Sequence, residues 1–295
     1  MNYFRDLLLS LLVAMVALSS CRKEEEIIPS SRVRVGVPGR PGKIKGFFLL
    51  NEANMGSNKA TLDYYDYTTA FYTRNIYAER NPNVVKELGD VGNDLQIHGS
   101  RLYAVINVSG LIEVMDVRTA KHIGKLSIPN CRYIAFKDGF AYVSSYAGPV
   151  KIDPNARLGY VAKVDTATLK VVAECPVGYQ PEELLIHGDK LYVANSGGYR
   201  APNYDKTISI IDLKTFTEEK QVDVAINLHR LQLDNYGKIW ASSRGDYKGV
   251  PSRLFVFDPK TKRVTKTLEV ACSNMAVSGD SLFVYSSEWS YLTGK

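Results

Sequence analysis

The chain has 295 residues, with 37 Lys and Arg against 31 Asp and Glu, a net charge of +6. That excess is modest and spread along the chain, which argues against a nucleic-acid partner and mildly favours anionic ligands or surfaces. Repeated sequence fills about 250 residues, so a single folded domain is expected over residues 45–295.

The chain opens on a targeting segment, residues 1–20. Arg5 precedes an apolar run from Leu7 to Leu18, too short to span a bilayer that needs about 20 residues. The run ends in Leu18-Ser-Ser-Cys21, which resembles the lipobox of bacterial lipoproteins. That implies lipidation of Cys21 and a chain held to a membrane by its lipid anchor alone. A plain signal peptide is the alternative. Residues 21–44 contain Arg22-Lys-Glu-Glu-Glu26 and a stretch rich in Pro, Gly and Arg from Pro29 to Lys43. Charge and Pro without periodicity predict a flexible tether. The charge run reads either as a solvated stretch or as similar to the surface-export signal of Bacteroidota lipoproteins.

From residue 46 a repeat takes over. The phrase Asp-x-x-Thr recurs at Asp66, Asp116, Asp165, Asp212 and Asp258, with successive Asp residues 50, 49, 47 and 46 positions apart. Such an interval marks a repeat architecture. An Asp carboxylate that bonds the backbone two residues on makes a hairpin turn. A second turn, Gly followed by an apolar–aromatic pair, recurs at Gly99, Gly139, Gly188, Gly237 and Gly279. The unit reads strand, Gly turn, strand, variable loop, strand, Asp-x-x-Thr turn, strand, which is a four-stranded antiparallel propeller blade. The predicted fold is therefore an all-β propeller, with blades over 46–77, 90–128, 131–176, 180–225 and 228–271. A sixth begins at Ser273 and stops short of its own Asp-x-x-Thr turn. Because a propeller must close, the sequence is expected to be C-terminally truncated in blade six. About 60 to 80 further residues would complete seven blades.

Cys131, Cys175 and Cys272 fall in different blades and form no disulfide framework; they read as buried small hydrophobes. The mid-blade and inter-blade loops follow the same strand direction and should converge on one face. That face gathers Tyr146, Tyr179, Tyr199, Tyr204 and Tyr247 with Arg132, Arg200, Arg230 and Arg244. Rigid aromatics with polar tips beside planar guanidinium groups suit a large, flat, partly anionic ligand.

An enzyme is not expected. His98 and His187 share one repeat position, His122 follows a turn and should be exposed, and only His229 falls on the loop face. One His makes no acid–base or metal constellation. Adjacent Glu182 and Glu183 should point to opposite sides of a strand. Asp90, Asn93 and Asp94 lack the spacing of a complete calcium loop, and Arg244-Gly-Asp246 reads as a chance turn. No cofactor and no metal are expected.

The blade Leu191-Tyr-Val-Ala-Asn195 with Thr207-Ile-Ser-Ile-Ile-Asp-Leu-Lys-Thr215, and the phrase Pro176-Val-Gly-Tyr-Gln-Pro-Glu182, resemble the YVTN repeat of the YncE-like seven-bladed propellers. With the lipobox, the tether and Leu50-Asn-Glu-Ala-Asn-Met-Gly56, the chain is similar to YncE-like lipoproteins of gut Bacteroidota. The resemblance implies non-enzymatic capture of a metal chelate, a ferric siderophore or cobalamin, at the outer-membrane surface. It also implies hand-over to a TonB-dependent outer-membrane transporter. Arg132, Arg200, Arg230 and Arg244 with the five tyrosines weakly favour the anionic siderophore. His229 completes the candidate binding set. A protein-interaction or adhesive propeller is the second reading.

Overall fold

The computed structural model describes residues 28–40, 42–84 and 87–287, so Cys21 and the expected targeting segment lie outside the described residues. Strands and turns follow the repeat. The second described sheet runs β5 (Gly92–His98), β6 (Arg101–Ile106), β7 (Leu111–Asp116) and β8 (His122–Ser127), paired in that order. The next three repeat it with β9 (Cys131–Lys137), β10 (Phe140–Ser145), β11 (Tyr160–Asp165) and β12 (Lys170–Pro176), then with β13 (Pro181–His187), β14 (Lys190–Asn195), β15 (Thr207–Asp212) and β16 (Thr217–Asp223), and then with β17 (Leu228–Leu233), β18 (Ile239–Ser243), β19 (Arg253–Asp258) and β20 (Arg263–Leu268). A two-stranded sheet, β21 (Asn274–Ser278) and β22 (Ser281–Tyr285), follows.

The turn chemistry is as the sequence predicts. In the Asp-x-x-Thr turns the Asp carboxylate accepts backbone N–H groups, as at Arg118 and Thr119 from Asp116, and the Thr119 hydroxyl donates to the same oxygen. The residue after each Thr (Ala70, Ala120, Leu169, Phe216, Lys262) adopts positive φ of 54–56° and starts the outer strand. The Gly turns between inner and second strands likewise sit at positive φ, where a Cβ would be strained.

The first sheet departs from the predicted plan. Its order is β1 (Ser31–Arg34), β4 (Phe71–Arg74), β3 (Thr61–Asp66), β2 (Gly46–Asn51). The Asp66 turn joins β3 to β4, so these match the third and outer strands of the other blades and β2 matches the second. The outermost position belongs to residues 31–34, which the sequence assigned to the tether. Arg32 and Arg34 lie over the Phe71 ring, with guanidinium carbons 4.2 and 5.0 Å from its centre, a cation–π contact that docks a solvent-exposed strand. The helix α1 (Ile76–Arg80) follows β4.

Apolar residues from the facing sides of neighbouring sheets make the core. Tyr103, Val105 and Val114 pack with Ile134, Ala141 and Val143 between the second and third blades. Tyr192, Ile208 and Ile210 pack with Leu231, Ile239 and Phe257 between the fourth and fifth. Each layer needs its neighbour, which is blade-to-blade stacking. Cys131, Cys175 and Cys272 are free and buried in these layers. His98 stacks on Phe136, rings 4.5 Å apart. His122, expected to be exposed, is half-buried because its Nδ1 is hydrogen-bonded to the Glu113 carboxylate.

Candidate ligand-binding face

Three junctions between blades share one local design. Asn130, Gln180 and Asn227 all adopt left-handed backbone (φ 49°, 49° and 54°), and the carbonyl of each accepts from the start of the mid-blade loop, at Tyr146, Ser196 and Arg244. Their side chains reach the same loops. The Asn130 amide donates to the Gly148 carbonyl, the Asn227 amide donates to the Gly245 carbonyl at 2.9 Å, and Gln180 accepts from Tyr199 N–H at 2.6 Å. Junction and mid-blade loops are thereby tied into one face, as the strand directions require. Asn227→Ala should cost about 1–3 kcal/mol in urea unfolding, because it strands a carbonyl and puts a Cβ-only side chain in the left-handed region. Asn227→Gly should cost less.

Just beyond each junction the inner strand carries a bulge. Pairing register breaks at Gly92/Asp94, between Cys131 and Ile134, between Pro181 and Leu184, and between Leu228 and Leu231. In the last three, two residues stand opposite one: Arg132 and Tyr133, Glu182 and Glu183, His229 and Arg230. A bulge re-aims side chains, and here both members of each pair enter the interior around the blade axis. The expectation that Glu182 and Glu183 diverge, as in a regular strand, fails for this reason.

Glu182 is the hub. Its carboxylate accepts from Arg132 (Nε 3.1 Å, Nη2 3.0 Å), from Arg244 Nη1 at 3.0 Å and from the Tyr146 hydroxyl. Its side chain is 1% exposed. Burial alone would raise its pKa, but Arg132 and then Arg244 overcome that and hold it well below the carboxylate range. Glu183 pairs with Arg230 at 3.2 Å and accepts from Leu231 N–H at 2.6 Å. There burial wins and pushes the carboxyl up to about 7 against the pull of Arg230. His229 Nε2 shares a 2.9 Å hydrogen bond with the Tyr133 hydroxyl. Burial, then the neighbouring Arg244, holds this imidazole well below its ordinary pKa, so it is neutral. Asp94, raised by burial, accepts from Ile134 N–H at 3.0 Å.

Of the ten predicted face residues, Arg132, Tyr146, His229, Arg230 and Arg244 meet in this cluster. Tyr146 is buried at 3% exposure, so it supports Glu182 instead of presenting itself to solvent. The other five lie on the surrounding loops. Arg200 stacks 3.5 Å over the Tyr179 ring, Tyr199 lies 6.4 Å from Tyr146, Tyr204 reaches the Asp246 carbonyl at 3.5 Å, and Tyr247 is 72% exposed. The calcium candidates do not converge. Asp90 accepts from Gly56 and Asn58 N–H, Asn93 donates to the Arg132 carbonyl, and Asp94 serves Ile134. Among the described residues no group of three or more His, Cys, Asp or Glu is placed to hold a metal ion.

Sequence reasoning missed Tyr133, Asp94 and both glutamates as members of the cluster. The available signal was the recurrence of two consecutive large or polar residues two and three positions after each left-handed junction. It also missed an off-axis cleft of about 970 Å³ on the same face, lined by Met55, Val108, Pro129, Tyr146 and the loop from Ala147 to Arg157.

Stacked antiparallel four-stranded sheets around a polar axis, with loops gathered on one face, define a multi-bladed all-β protein of the propeller type. Residues 45–288 match the family described as "Domain of unknown function (DUF5074)", and the chain belongs to that family. No curated protein matches it. Among solved structures it is similar to the computationally designed Ika8 protein (14% identity, TM-score 0.54, covering 86% of this chain and 71% of that one). It is also similar to the hydrazine synthase of Kuenenia stuttgartiensis (19% identity, TM-score 0.51, 60% of this chain). The chain spans about half, 48%, of that hydrazine synthase chain. At these identities the likeness is one of fold.

Proposed function

We propose that the protein is a non-enzymatic ligand-binding lipoprotein of the YncE-like kind, anchored through Cys21 at the outer-membrane surface. It captures a metal chelate and passes it to a TonB-dependent transporter. The observation that supports this best is the rigid loop face, where three junction side chains tie long mid-blade loops around a locked Arg–Glu–Tyr centre. Such preorganisation favours binding, because little has to be ordered when a ligand arrives. Arg132, Arg244 and Tyr146 are paired with Glu182 as supports, while the buried His229 Nδ1 and Arg230 Nε have no hydrogen-bond partner. Pairing of Arg132, Arg230 and Arg244 with Glu182 and Glu183 weakens the charge argument for an anionic siderophore without removing it, because three guanidinium groups face two carboxyls and burial pushes that of Glu183 up to about 7. Ferric siderophore and cobalamin both stand as the cargo.

Calorimetric titration of the full chain in mild detergent, with cyanocobalamin and separately with ferric enterobactin, tests the proposal. One-to-one binding of one of them at micromolar or tighter affinity is expected. The second reading, a docking surface for another protein, has in its favour the exposed Ile152, Leu158 and Val250 on these loops. It becomes the working description if neither chelate binds.

A further inference from the structure

The chain joins the first blade at the rim of the loop face. β4 runs from the Asp66 turn up to Arg74, and β1 pairs with it antiparallel, Ser31 opposite Arg74 and Arg34 opposite Phe71. Ser31 therefore stands at the loop end of the blade and Arg34 at the turn end. Asn75, next after β4, clamps the residues that lead into β1. Its side-chain amide donates to the Ile28 carbonyl at 2.7 Å, and its own carbonyl accepts from the Ser30 hydroxyl at 2.9 Å. Lower down, Arg32 and Arg34 lie over Phe71, and Val35 N–H donates to the Ala70 carbonyl at 2.8 Å. All four β1 residues are solvent-exposed, so backbone pairing and these contacts, not burial, hold the strand.

That entry point limits how an anchored molecule can stand. Seven residue steps separate Cys21 from Ile28, and fully extended they span at most about 25 Å. The six-residue strands β2 and β3 are themselves about 20 Å long. A domain resting on its turn face would lift Ile28 by the strand length plus the turns, and would use up the whole reach. With the loop face toward the lipid the same reach is ample.

The loop tips suit such a surface. Ile152 and Tyr247 project at 74% and 72% exposure, each next to a solvent-exposed lysine, Lys151 and Lys248. An apolar or aromatic tip beside a basic group is at home at a headgroup boundary, with the ring or aliphatic group inward and the ammonium outward. Arg244 and Lys206 pair with Glu182 and Asp223. The rest of the third to fifth mid-blade loops keeps Lys151, Arg157, Arg200 and Lys248 against Asp153, Asp205 and Asp246, a slight basic excess. Contacts this weak suffice beside an anchor, because they then form within one assembly at high effective concentration.

We propose that β1 is an orienting strap. Docked on the first blade, it turns the loop face toward the lipid surface that holds the anchor, and the tips at Ile152 and Tyr247 rest on the headgroups. The assignment rests on the Cys21 anchor of the reading above and not on its cargo. With residues 28–39 released, the chain from Cys21 to Lys45 reaches about 80 Å, and the face is free to turn to the medium.

The test uses the mature lipidated protein in vesicles of phosphatidylethanolamine and phosphatidylglycerol that carry a headgroup spin label as quencher. A fluorophore is attached at Asn155→Cys on the loop face, or at Tyr236→Cys on the turn face, where the tyrosine is 74% exposed. Cys131, Cys175 and Cys272 are buried and stay unlabelled. Quenching of the label at Asn155, and none at Tyr236, is expected. Arg32→Glu with Arg34→Glu should shift the ratio of docked to released chain about tenfold, the scale of two exposed cation–π contacts, and lower that contrast. Ile152→Asp with Tyr247→Asp should weaken quenching at Asn155 while β1 stays docked. Thermal melts that match the wild type show that both double variants are folded. Equal quenching of the two labels, stronger quenching at Tyr236, or a contrast that either double variant leaves unchanged overturns the assignment and leaves the anchor standing. A contrast seen in native outer-membrane vesicles but not in pure lipid also overturns it, and gives the face to a membrane protein. A mature chain that does not float with vesicles overturns the anchor and the assignment together.

Discussion

Replacing Glu182 by Gln is expected to lower the free energy of unfolding by about 3–5 kcal/mol, the range for breaking a buried ion pair on one side. The carboxylate is 1% exposed and answers two guanidinium groups whose side chains are only 12% and 25% exposed. Glutamine keeps the shape and one acceptor, but its NH₂ faces an arginine and two cations are left without a counter-charge. Tyr146 loses a charged acceptor for its hydroxyl, and the loop it supports is the one that lines the cleft. In urea the midpoint should fall with the slope unchanged. A loss below about 1 kcal/mol would mean that water already screens the cluster. The Lys206–Asp223 pair, both side chains more than half exposed at 57% and 66%, is the natural control, and breaking it should change little.

The second large effect is on pH dependence, and it is masked in the wild type. Glu183 has its carboxyl raised by burial from 4.5 to about 7. Its contribution to stability is therefore present below pH 4.5 and lost as pH rises to 7, about 3 kcal/mol in all. Asp94, raised by the same cause, adds to that side. His229 has the opposite sign. Its folded pKa lies well below the ordinary 6.5, so its contribution is present above pH 6.5 and lost as pH falls. Between pH 4.5 and 6.5 the two slopes oppose each other, and Arg230, Arg244 and Arg132 stay charged throughout. Urea unfolding across this window should give a shallower profile for the wild type than for the variant that lacks the imidazole. His229→Asn should produce stability that falls from pH 4.5 to 7, and Glu183→Gln stability that rises from pH 4.5 to 6.5. Parallel profiles for all three proteins would contradict the burial of these groups.

The scaffold was legible because turns carry strong local chemistry. Asp116, Asp165 and Asp212 need only the next three residues to build their turns, and the paired strands alternate around them. The site was legible only in part. Arg132, Arg230, Arg244 and His229 stand out as unusual residues in junction loops, so their gathering on one face could be anticipated. Their partners could not be placed by the period-2 rule for strands, because the bulge at Glu182 and Glu183 breaks that period. A repeat alignment centred on Asn130, Gln180 and Asn227 would have exposed it. The strand at residues 31–34 escaped for another reason. Four residues amid Pro and Gly give almost no local signal, and the strand is held by the stacking of Arg32 and Arg34 on Phe71, forty residues away in a different part of the repeat.

The most direct measurement is the calorimetric titration of the full chain with the two chelates. Saturable one-to-one heat with one of the two chelates is the result that ligand capture on this face predicts. Absence of binding to both at micromolar concentrations would contradict it and leave the exposed loop apolar residues to be explained by a protein partner.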